Sequence, residues 1–111
     1  MTVTFPDDDV KFEGFHGDTF QKVFTIKDSS GTIINLTGAT FRFLLGALNE
    51  SSSGVTVTNG NTTGQVTVTV TYTAMEALTV GDYDIALEMT DSNSIRTTLF
   101  TGTYTVLEDV R

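Results

Sequence analysis

One histidine and one nearby carboxylate come closest to a hydrolytic device in this chain. His16 is the only histidine, so a Ser-His-Asp arrangement would have to use it as the base, with Asp18 as the orienting carboxylate. The chain contains no G-x-S-x-G nucleophile elbow and no cysteine. The sequence therefore predicts a turn histidine that hydrogen-bonds local backbone, and no catalytic residue.

Two groups of carboxylates are candidates for sugar chemistry or metal binding. Asp82 and Asp84 are two residues apart and share one face if extended, but glycosidases need such a pair about 5–10 Å apart in a substrate-sized cleft. A small domain with short polar loops has little room for that cleft. Asp7, Asp8 and Asp9 lack the spaced ligands of a calcium loop. We therefore predict a solvated, flexible arm at residues 1–9, and neither a metal nor a cofactor.

Composition indicates an all-β domain. The 111 residues carry a net charge of -8, which repels nucleic acid and anionic membrane surfaces, so neither is expected as a partner. The absence of cysteine means that core packing must stabilise the fold. No apolar run approaches the roughly 20 residues of a membrane span, and no signal peptide is evident. Threonine is the commonest residue and, with valine and phenylalanine, favours pleated backbone.

The paired aspartates fall in a strand that follows a predicted helical turn. Thr73 and Glu76 have the spacing of a capping box, which predicts one short helical turn at residues 73–78. From Tyr83 onward, apolar residues alternate with polar ones up to residue 90, as in a half-buried strand. A turn followed by a tyrosine entering a strand connects the sheets of many sandwiches, with the hydroxyl bonded to upstream backbone. We therefore predict that role for Tyr83.

Alternation predicts the other strands. They begin near Val10 and cover residues 19–27, 39–45, 55–57, 65–72, 83–90 and 95–107. Lys22 breaks the apolar phase of its strand, so either it snorkels at a sheet edge or the strand is bulged near Val23. The count is seven or eight antiparallel strands, which is typical of a two-sheet sandwich forming one domain at residues 10–111.

Five segments stand out by their order and spacing. They are Gly-Asp-Thr-Phe at 17–20, Asn-Leu-Thr-Gly-Ala-Thr at 35–40, Gly-Gln-Val at 64–66, the helical turn with Gly81 and Tyr83, and Gly-Thr-Tyr-Thr-Val at 102–106. Together they resemble the immunoglobulin-like domains of tailed bacteriophages, such as the N-terminal domain of baseplate upper proteins and related tail and fibre-associated proteins. His16 and Asn35 depart from that pattern, which has a basic residue and an aspartate there.

The resemblance implies an immunoglobulin-like β-sandwich that is a non-enzymatic structural component of the virion, in the tail, the baseplate or on the capsid surface. Such a protein would be made in the host bacterial cytoplasm. It would dock to other virion proteins, as a homo-oligomer or as part of a larger assembly. The alternative is a carbohydrate-binding or host-adhesion module, which stacks sugars on exposed aromatic rings. Because the chain has no tryptophan, that alternative requires Phe5, Phe15 or Tyr72 to lie exposed on one surface patch.

Overall fold

The computed structural model describes residues 10–28 and 30–109, so the predicted arm at residues 1–9 lies outside the described residues. The described residues form eight strands: β1 (Val10–Phe15), β2 (Phe20–Thr25), β3 (Thr40–Leu45), β4 (Leu48–Asn49), β5 (Val55–Asn59), β6 (Gln65–Val70), β7 (Gly81–Thr90) and β8 (Arg96–Leu107). A 3-10 turn spans Asn61–Thr63, and the helix α1 spans Tyr72–Met75. Within the described part of the chain, no helix has the length and apolar character needed to span a membrane.

Strand pairing divides the domain into two sheets. The five-stranded sheet has the order β1-β8-β7-β3-β4, and the three-stranded sheet has the order β2-β6-β5. The two sheets pack face to face, which confirms the predicted immunoglobulin-like β-sandwich. One pairing differs from the antiparallel strands that the sequence predicts, because β1 runs parallel to β8.

The core lies between the sheets and is built from the apolar phase of each strand. Val66, Val68 and Val70 are fully buried in β6, the middle strand of the smaller sheet. Aromatic rings from both sheets fill the core beside them, and the rings of Phe20 in β2 and Tyr104 in β8 meet edge to face with centroids 5.5 Å apart. Each fully buried apolar side chain contributes about 1.5–3 kcal/mol to the free energy of folding, so burial of the apolar side of each strand is the main stabilising force.

The position of Lys22 decides between the two alternatives for β2, a lysine that snorkels at the sheet edge or a strand that is bulged near Val23. β2 pairs with β6 in one uninterrupted register, so the strand has no bulge near Val23. β2 is an edge strand, and the Lys22 ammonium lies 5.7 Å from the centroid of the Phe12 ring in β1. Lys22 therefore snorkels across the rim between the two sheets, with its charge over an aromatic face.

The helical turn begins earlier than the capping box predicts. Its N-cap is Thr71 rather than Thr73, and Thr71 Oγ1 accepts a hydrogen bond from Ala74 N at 3.3 Å. Tyr72 consequently leaves the strand in which the alternation places it, and its side chain is 60% exposed. The earlier start buries Met75 against the core.

β8 contains a bulge that the alternation does not reveal. Leu87 of β7 lies opposite Phe100, but the next residue, Glu88, lies opposite Thr98. Leu99 is therefore the extra residue, and both Leu99 and Phe100 are buried. The extra residue shifts the alternation by one position, so the polar residues at the start of β8 face solvent.

Candidate functional site

The corner before β7 fixes one end of the sandwich. The Tyr83 hydroxyl donates to the carbonyl oxygen of Thr79 at 2.7 Å and lies 3.1 Å from Thr79 Oγ1. This confirms the predicted tyrosine corner. Gly46, in the turn between β3 and β4, packs on the same ring, because a Cβ added there would lie 2.8 Å from Tyr83 Cδ1. The corner thus holds the β3–β4 hairpin against the start of β7.

His16 lies in an open groove at the same end of the domain. Its Nε2 donates to the carbonyl oxygen of Glu76 at 3.1 Å, so the prediction of a bond to local backbone is wrong. The groove has a volume of about 370 Å³ and is lined by His16, Gly17, Tyr72, Glu76 and Asp109. Asp18 is not among these residues, and the lining offers no serine, threonine or cysteine. The groove therefore holds His16 without the serine or cysteine that a nucleophilic device needs.

Asp82 and Asp84 share the solvent side of β7, as the sequence predicts. Asp82 Oδ1 accepts a hydrogen bond from Thr105 Oγ1 at 2.8 Å, and both aspartates are exposed. They lie side by side on one open sheet surface, whereas a glycosidase places its carboxyls on either side of an enclosed sugar. Among the described residues, no group of three or more His, Asp or Glu is placed to hold a metal ion.

Tyr104 is a titratable group built into the core. Burial raises the pKa of its phenol above the ordinary value of 10.0, and the charge of Asp18 raises it further. The hydroxyl packs directly against Gly14 of β1, where a Cβ would overlap it. The side chain is only 3% exposed. The neutral phenol therefore packs between β8 and β1 as a structural group.

A large polar surface covers the solvent side of the five-stranded sheet, here called the outer face. It is formed by the outward residues Lys11, Glu13, Phe15, Thr40, Arg42, Leu44, Asn49, Asp82, Asp84, Ala86, Glu88, Thr90, Arg96, Thr98, Thr101, Thr103, Thr105 and Leu107. Strand register aligns them in rows across the sheet, and the middle row is Thr101, Ala86, Leu44 and Asn49. Leu44 is 41% exposed and borders an open groove of about 520 Å³. The middle of the outer face is therefore uncharged, and Leu44 is its exposed apolar side chain.

Charges on the outer face are segregated along the strands. Toward the start of β7 lies the acidic end, which holds three carboxylates and one lysine: Glu13, Asp82, Asp84 and Lys11. Toward the end of β7 lies the mixed end, which holds both arginines of the outer face, Arg42 and Arg96, together with Glu88 and with Glu50, which lines the same groove as Arg42. Arg42 is opposite Glu88 in the register, and Arg96 Nε is 3.5 Å from Glu88 Oε1. One end is thus acidic, and at the other end the positive and negative charges balance.

An apolar row closes the outer face beyond the acidic end. Phe15 pairs with Leu107. Val80 directly precedes Gly81, and Gly81 pairs with the residue directly before Leu107. Phe15 is 44% and Val80 is 58% exposed. Three adjoining apolar side chains on one solvent surface are the kind of patch that protein contacts cover.

The sheet edges carry features that oppose the addition of another strand. β4 is only two residues long, and beyond it Glu50 Oε1 accepts the hydrogen bond of Phe43 N at 2.9 Å. At the edge of the other sheet Lys22 points inward, and β1 carries Lys11 and Glu13. Short edges, inward lysines and edge charges all disfavour edge-to-edge pairing. Addition of a partner strand is therefore disfavoured at the edges formed by β1, β2 and β4.

Leu44 and Ala86 were not singled out by the sequence. The available signal was Leu44 itself, an apolar residue in the polar phase of β3 next to Arg42. Isolated exposed leucines are common, so that signal alone is weak. The meaning of Leu44 depends on the register that sets it beside Ala86, and that register comes only from the folded structure.

Comparisons with known proteins define a class of fold. No family model and no curated protein matches the chain. A chimeric titin Z1Z2 functionalised with a KLER exogenous peptide from decorin is similar over 99% of this chain and 48% of that chain, with 17% identity and a TM-score of 0.51. The N-terminal domain of the Streptococcus gordonii adhesin Sgo0707 aligns over 95% of this chain and 31% of that chain, with 12% identity and a TM-score of 0.28. The titin likeness supports the class of immunoglobulin-like β-sandwiches, and this chain spans about half of that titin structure.

Proposed function

We propose that this domain is a non-enzymatic structural component of a tailed bacteriophage virion that docks to other virion proteins through its outer face. The observation that carries docking is the middle row, where Leu44 lies 41% exposed beside Ala86, between an acidic end and the mixed end that holds both arginines. Apolar surface bordered by charge is the usual composition of a protein interface. The phage setting, in the tail, the baseplate or on the capsid surface, is supported by the sequence segments described above.

The contacts behind the outer face hold this surface in one shape, which favours docking. Phe43 and Leu87, the inward neighbours of the middle row, are 1% and 0% exposed. The Tyr83 corner fixes the adjoining hairpin through its bond to Thr79. A preordered surface loses little conformational entropy of its side chains and loops on binding, so less of the favourable contact free energy is offset by that loss.

The proposal of a non-enzymatic role is supported by the separation of the reactive groups. His16 is bonded to the backbone of Glu76 in a groove without a hydroxyl or thiol nucleophile other than the phenol of Tyr72. The aspartates of β7 lie on the outer face instead. An acid-base or nucleophilic device needs its members within hydrogen-bond reach of one substrate position.

Incorporation into virions tests the proposal. Particles of the phage that encodes this chain would be purified on a density gradient and assayed for the domain after infection with wild-type, Ala86→Arg or Thr67→Arg alleles. Thr67 lies at the matched central position on β6, on the solvent side of the other sheet. We expect wild type and Thr67→Arg to sediment with particles, and Ala86→Arg to lose about tenfold or more.

Two outcomes of this experiment would contradict the proposal in different ways. Absence of the wild-type domain from purified particles would remove the virion assignment. Normal incorporation of Ala86→Arg would show that docking uses another surface. Urea denaturation of each variant serves as the folding control.

Tyr72 favours a second candidate, a carbohydrate-binding or host-adhesion module. Its ring is 60% exposed and shares a groove with His16, Glu76 and Asp109. Sugars stack on such rings and hydrogen-bond to neighbouring carboxylates. Phe15 belongs to the outer face instead, and the other aromatic named for this role, in the arm, lies outside the described residues. A glycan array signal that Tyr72→Ala abolishes would support adhesion, and an array without binding would end this candidate.

A further inference from the structure

We infer that Asn59–Gly60 is a site of spontaneous deamidation, that hydrogen bonds of the folded domain suppress the reaction, and that the aspartate it produces weakens the connection between the two sheets. Asn59 is the last residue of β5, and Gly60 begins the turn to β6. The chain has five asparagines, and this one alone is followed by glycine. The inference goes beyond the proposed function and does not depend on it.

Deamidation at such a pair is an intramolecular acyl transfer. The backbone nitrogen of Gly60, after losing its proton, attacks Cγ of Asn59. A bond forms between these two atoms, the bond from Cγ to Nδ2 breaks, and ammonia leaves. Water then opens the cyclic succinimide at either carbonyl, which gives aspartate or isoaspartate. Glycine favours the reaction because it has no side chain to obstruct the approach of its nitrogen and its backbone is conformationally free.

The side-chain amide of Asn59 joins the smaller sheet to the chain that enters the larger one. Its Nδ2 donates to the carbonyl oxygens of Leu36 at 2.8 Å and Ala39 at 3.1 Å, and its Oδ1 accepts from Asn61 N at 2.8 Å. Ala39 directly precedes β3. Since β5 belongs to the three-stranded sheet and β3 to the five-stranded sheet, this amide connects the two. Its orientation is fixed, because the two carbonyls can only accept and the backbone nitrogen can only donate.

The attacking nitrogen is also held by hydrogen bonds. Gly60 N donates to the carbonyl oxygen of Gln65 at 2.7 Å. The carbonyl oxygen of Gly60 accepts from Thr63 N at 3.2 Å and from Thr63 Oγ1 at 3.0 Å. The attack requires Gly60 N to leave its acceptor, and the departing Nδ2 has both hydrogens engaged. The closed turn therefore suppresses deamidation.

This turn can open without disturbing the core. None of the three residues of the 3-10 turn at Asn61–Thr63 is buried, and β5 is an edge strand. Asn61 has a φ of +56°, in the left-handed region that side chains disfavour. Segments with few buried contacts open at a lower free energy than the whole domain. Deamidation therefore proceeds through local opening of the turn, at a rate set by how often its hydrogen bonds break.

Aspartate at position 59 cannot restore the connection between the sheets. A carboxylate only accepts, so the oxygen that replaces Nδ2 faces the carbonyl oxygens of Leu36 and Ala39. Both hydrogen bonds are lost, and a negative charge lies against two acceptors. Isoaspartate also lengthens the backbone at the residue that pairs with Val66 of β6. One opening of the turn thus becomes a permanent weakening of the domain.

The substitution Asn59→Asp tests this consequence. We expect its urea midpoint to lie about 1 M below that of wild type, because two hydrogen bonds are lost. The deficit should shrink as the pH falls toward about 4, because a protonated carboxyl can donate again. Asn93→Asp, in the exposed turn between β7 and β8, is the matched control and should keep the wild-type midpoint. An unshifted midpoint for Asn59→Asp would overturn the role of the amide.

Mass spectrometry of the purified chain measures the reaction itself. Wild type would be incubated in mildly alkaline buffer, with and without urea above the unfolding midpoint, and peptide mapping would locate aspartate and isoaspartate. We expect the product at Asn59 to form about tenfold or more slowly in the folded chain than in the unfolded chain. Equal rates would overturn the protection by the fold.

A pair of threonine variants tests the local opening. Thr63→Val removes the hydroxyl bond to the Gly60 carbonyl and the 3.3 Å bond from Gln65 N, so deamidation in buffer should be about threefold or more faster. Thr62→Val makes the same change at the exposed neighbour and should react like wild type. Tyr83→Phe, at the corner before β7, should also leave the rate unchanged. No acceleration by Thr63→Val, or equal acceleration by all three variants, would overturn local opening of the turn.

Discussion

Removing the Tyr83 hydroxyl tests the corner that fixes the end of the sandwich. Tyr83→Phe deletes the 2.7 Å bond to the Thr79 carbonyl and the 3.1 Å contact with Thr79 Oγ1, but it leaves the ring packed on Gly46. A typical hydrogen bond contributes about 0.5–1.5 kcal/mol net, and a buried partner left unpaired costs about 1–3 kcal/mol. Because Thr79 is exposed, water can reach its carbonyl. We therefore expect the free energy of unfolding to fall by about 1 kcal/mol.

Equilibrium urea denaturation measures this loss. With a slope of about 2 kcal/mol per molar urea, a loss of about 1 kcal/mol lowers the midpoint by about 0.5 M. Thr79→Val is the matched control, because it removes only the Oγ1 contact and keeps the carbonyl acceptor, so its midpoint should fall less. An unchanged midpoint for Tyr83→Phe would refute the corner as a stabilising element. A loss beyond about 3 kcal/mol would show disturbed packing rather than one lost bond.

Two further substitutions test close approach and burial. Gly64 has a φ of +68°, and a Cβ there would overlap the Ile33 side chain, so Gly64→Ala should lower the unfolding free energy in urea by about 2–4 kcal/mol. Gly31→Ala, at φ +81° with nothing within 4 Å, should cost only about 1 kcal/mol, and equal losses would contradict the overlap. Burial, followed by the charge of Asp18, raises the pKa of Tyr104 above 10.0. Its stabilising contribution is therefore complete below pH 10 and is lost as the pH rises through the folded-state pKa. Tyr104→Phe should lose less stability than wild type between about pH 9 and about pH 11, measured by urea midpoints, and an equal loss would contradict the shift.

The strands were predictable wherever burial alone sets the pattern. β6 and β7 show uninterrupted alternation because one side of each packs on the core. The helical turn was misplaced because two threonines compete for its N-cap. Thr71 N donates to the carbonyl of Gly54 at 2.9 Å, which keeps the chain extended to that point. Starting the helix just after Thr71 then buries Met75 and Leu78, at 1% and 4% exposure.

The parallel pairing of β1 with β8 joins the two ends of the described chain, and no local turn signal can specify it. Gly102 was the available clue, since a glycine in a strand interior often marks a close backbone approach. A Cβ at Gly102 would overlap the backbone of Val10, so this position in β8 accepts β1 only because it lacks a side chain. The Leu99 bulge is equally invisible in the alternation, because an extra buried residue reads as a second apolar position in the strand.

The candidate site could not be predicted from the sequence either, because its rows of residues form only after the strands have paired. The sequence places Leu44 and Arg42 on the solvent side of β3, and Asp82 and Asp84 on one side of β7. It does not reveal that Leu44 lies beside Ala86, or that Arg42 and Arg96 lie at the same end of the outer face. Docking chemistry is therefore a property of the sheet order rather than of any motif in the chain.

The two solvent-facing sides of the sandwich differ in a way that solubility alone does not require. The outward strand residues of the three-stranded sheet are uncharged: Gln21, Val23, Thr25, Thr56, Thr58, Gln65, Thr67 and Thr69. Threonine there satisfies strand propensity and hydration together. The charged strand residues of the described chain lie on the outer face, apart from Lys22 at the rim. A surface that only kept the domain dissolved would need neither this concentration nor the placement of both arginines at one end. Orienting a partner requires both, so the outer face, and not the threonine face, is where selective contact is expected.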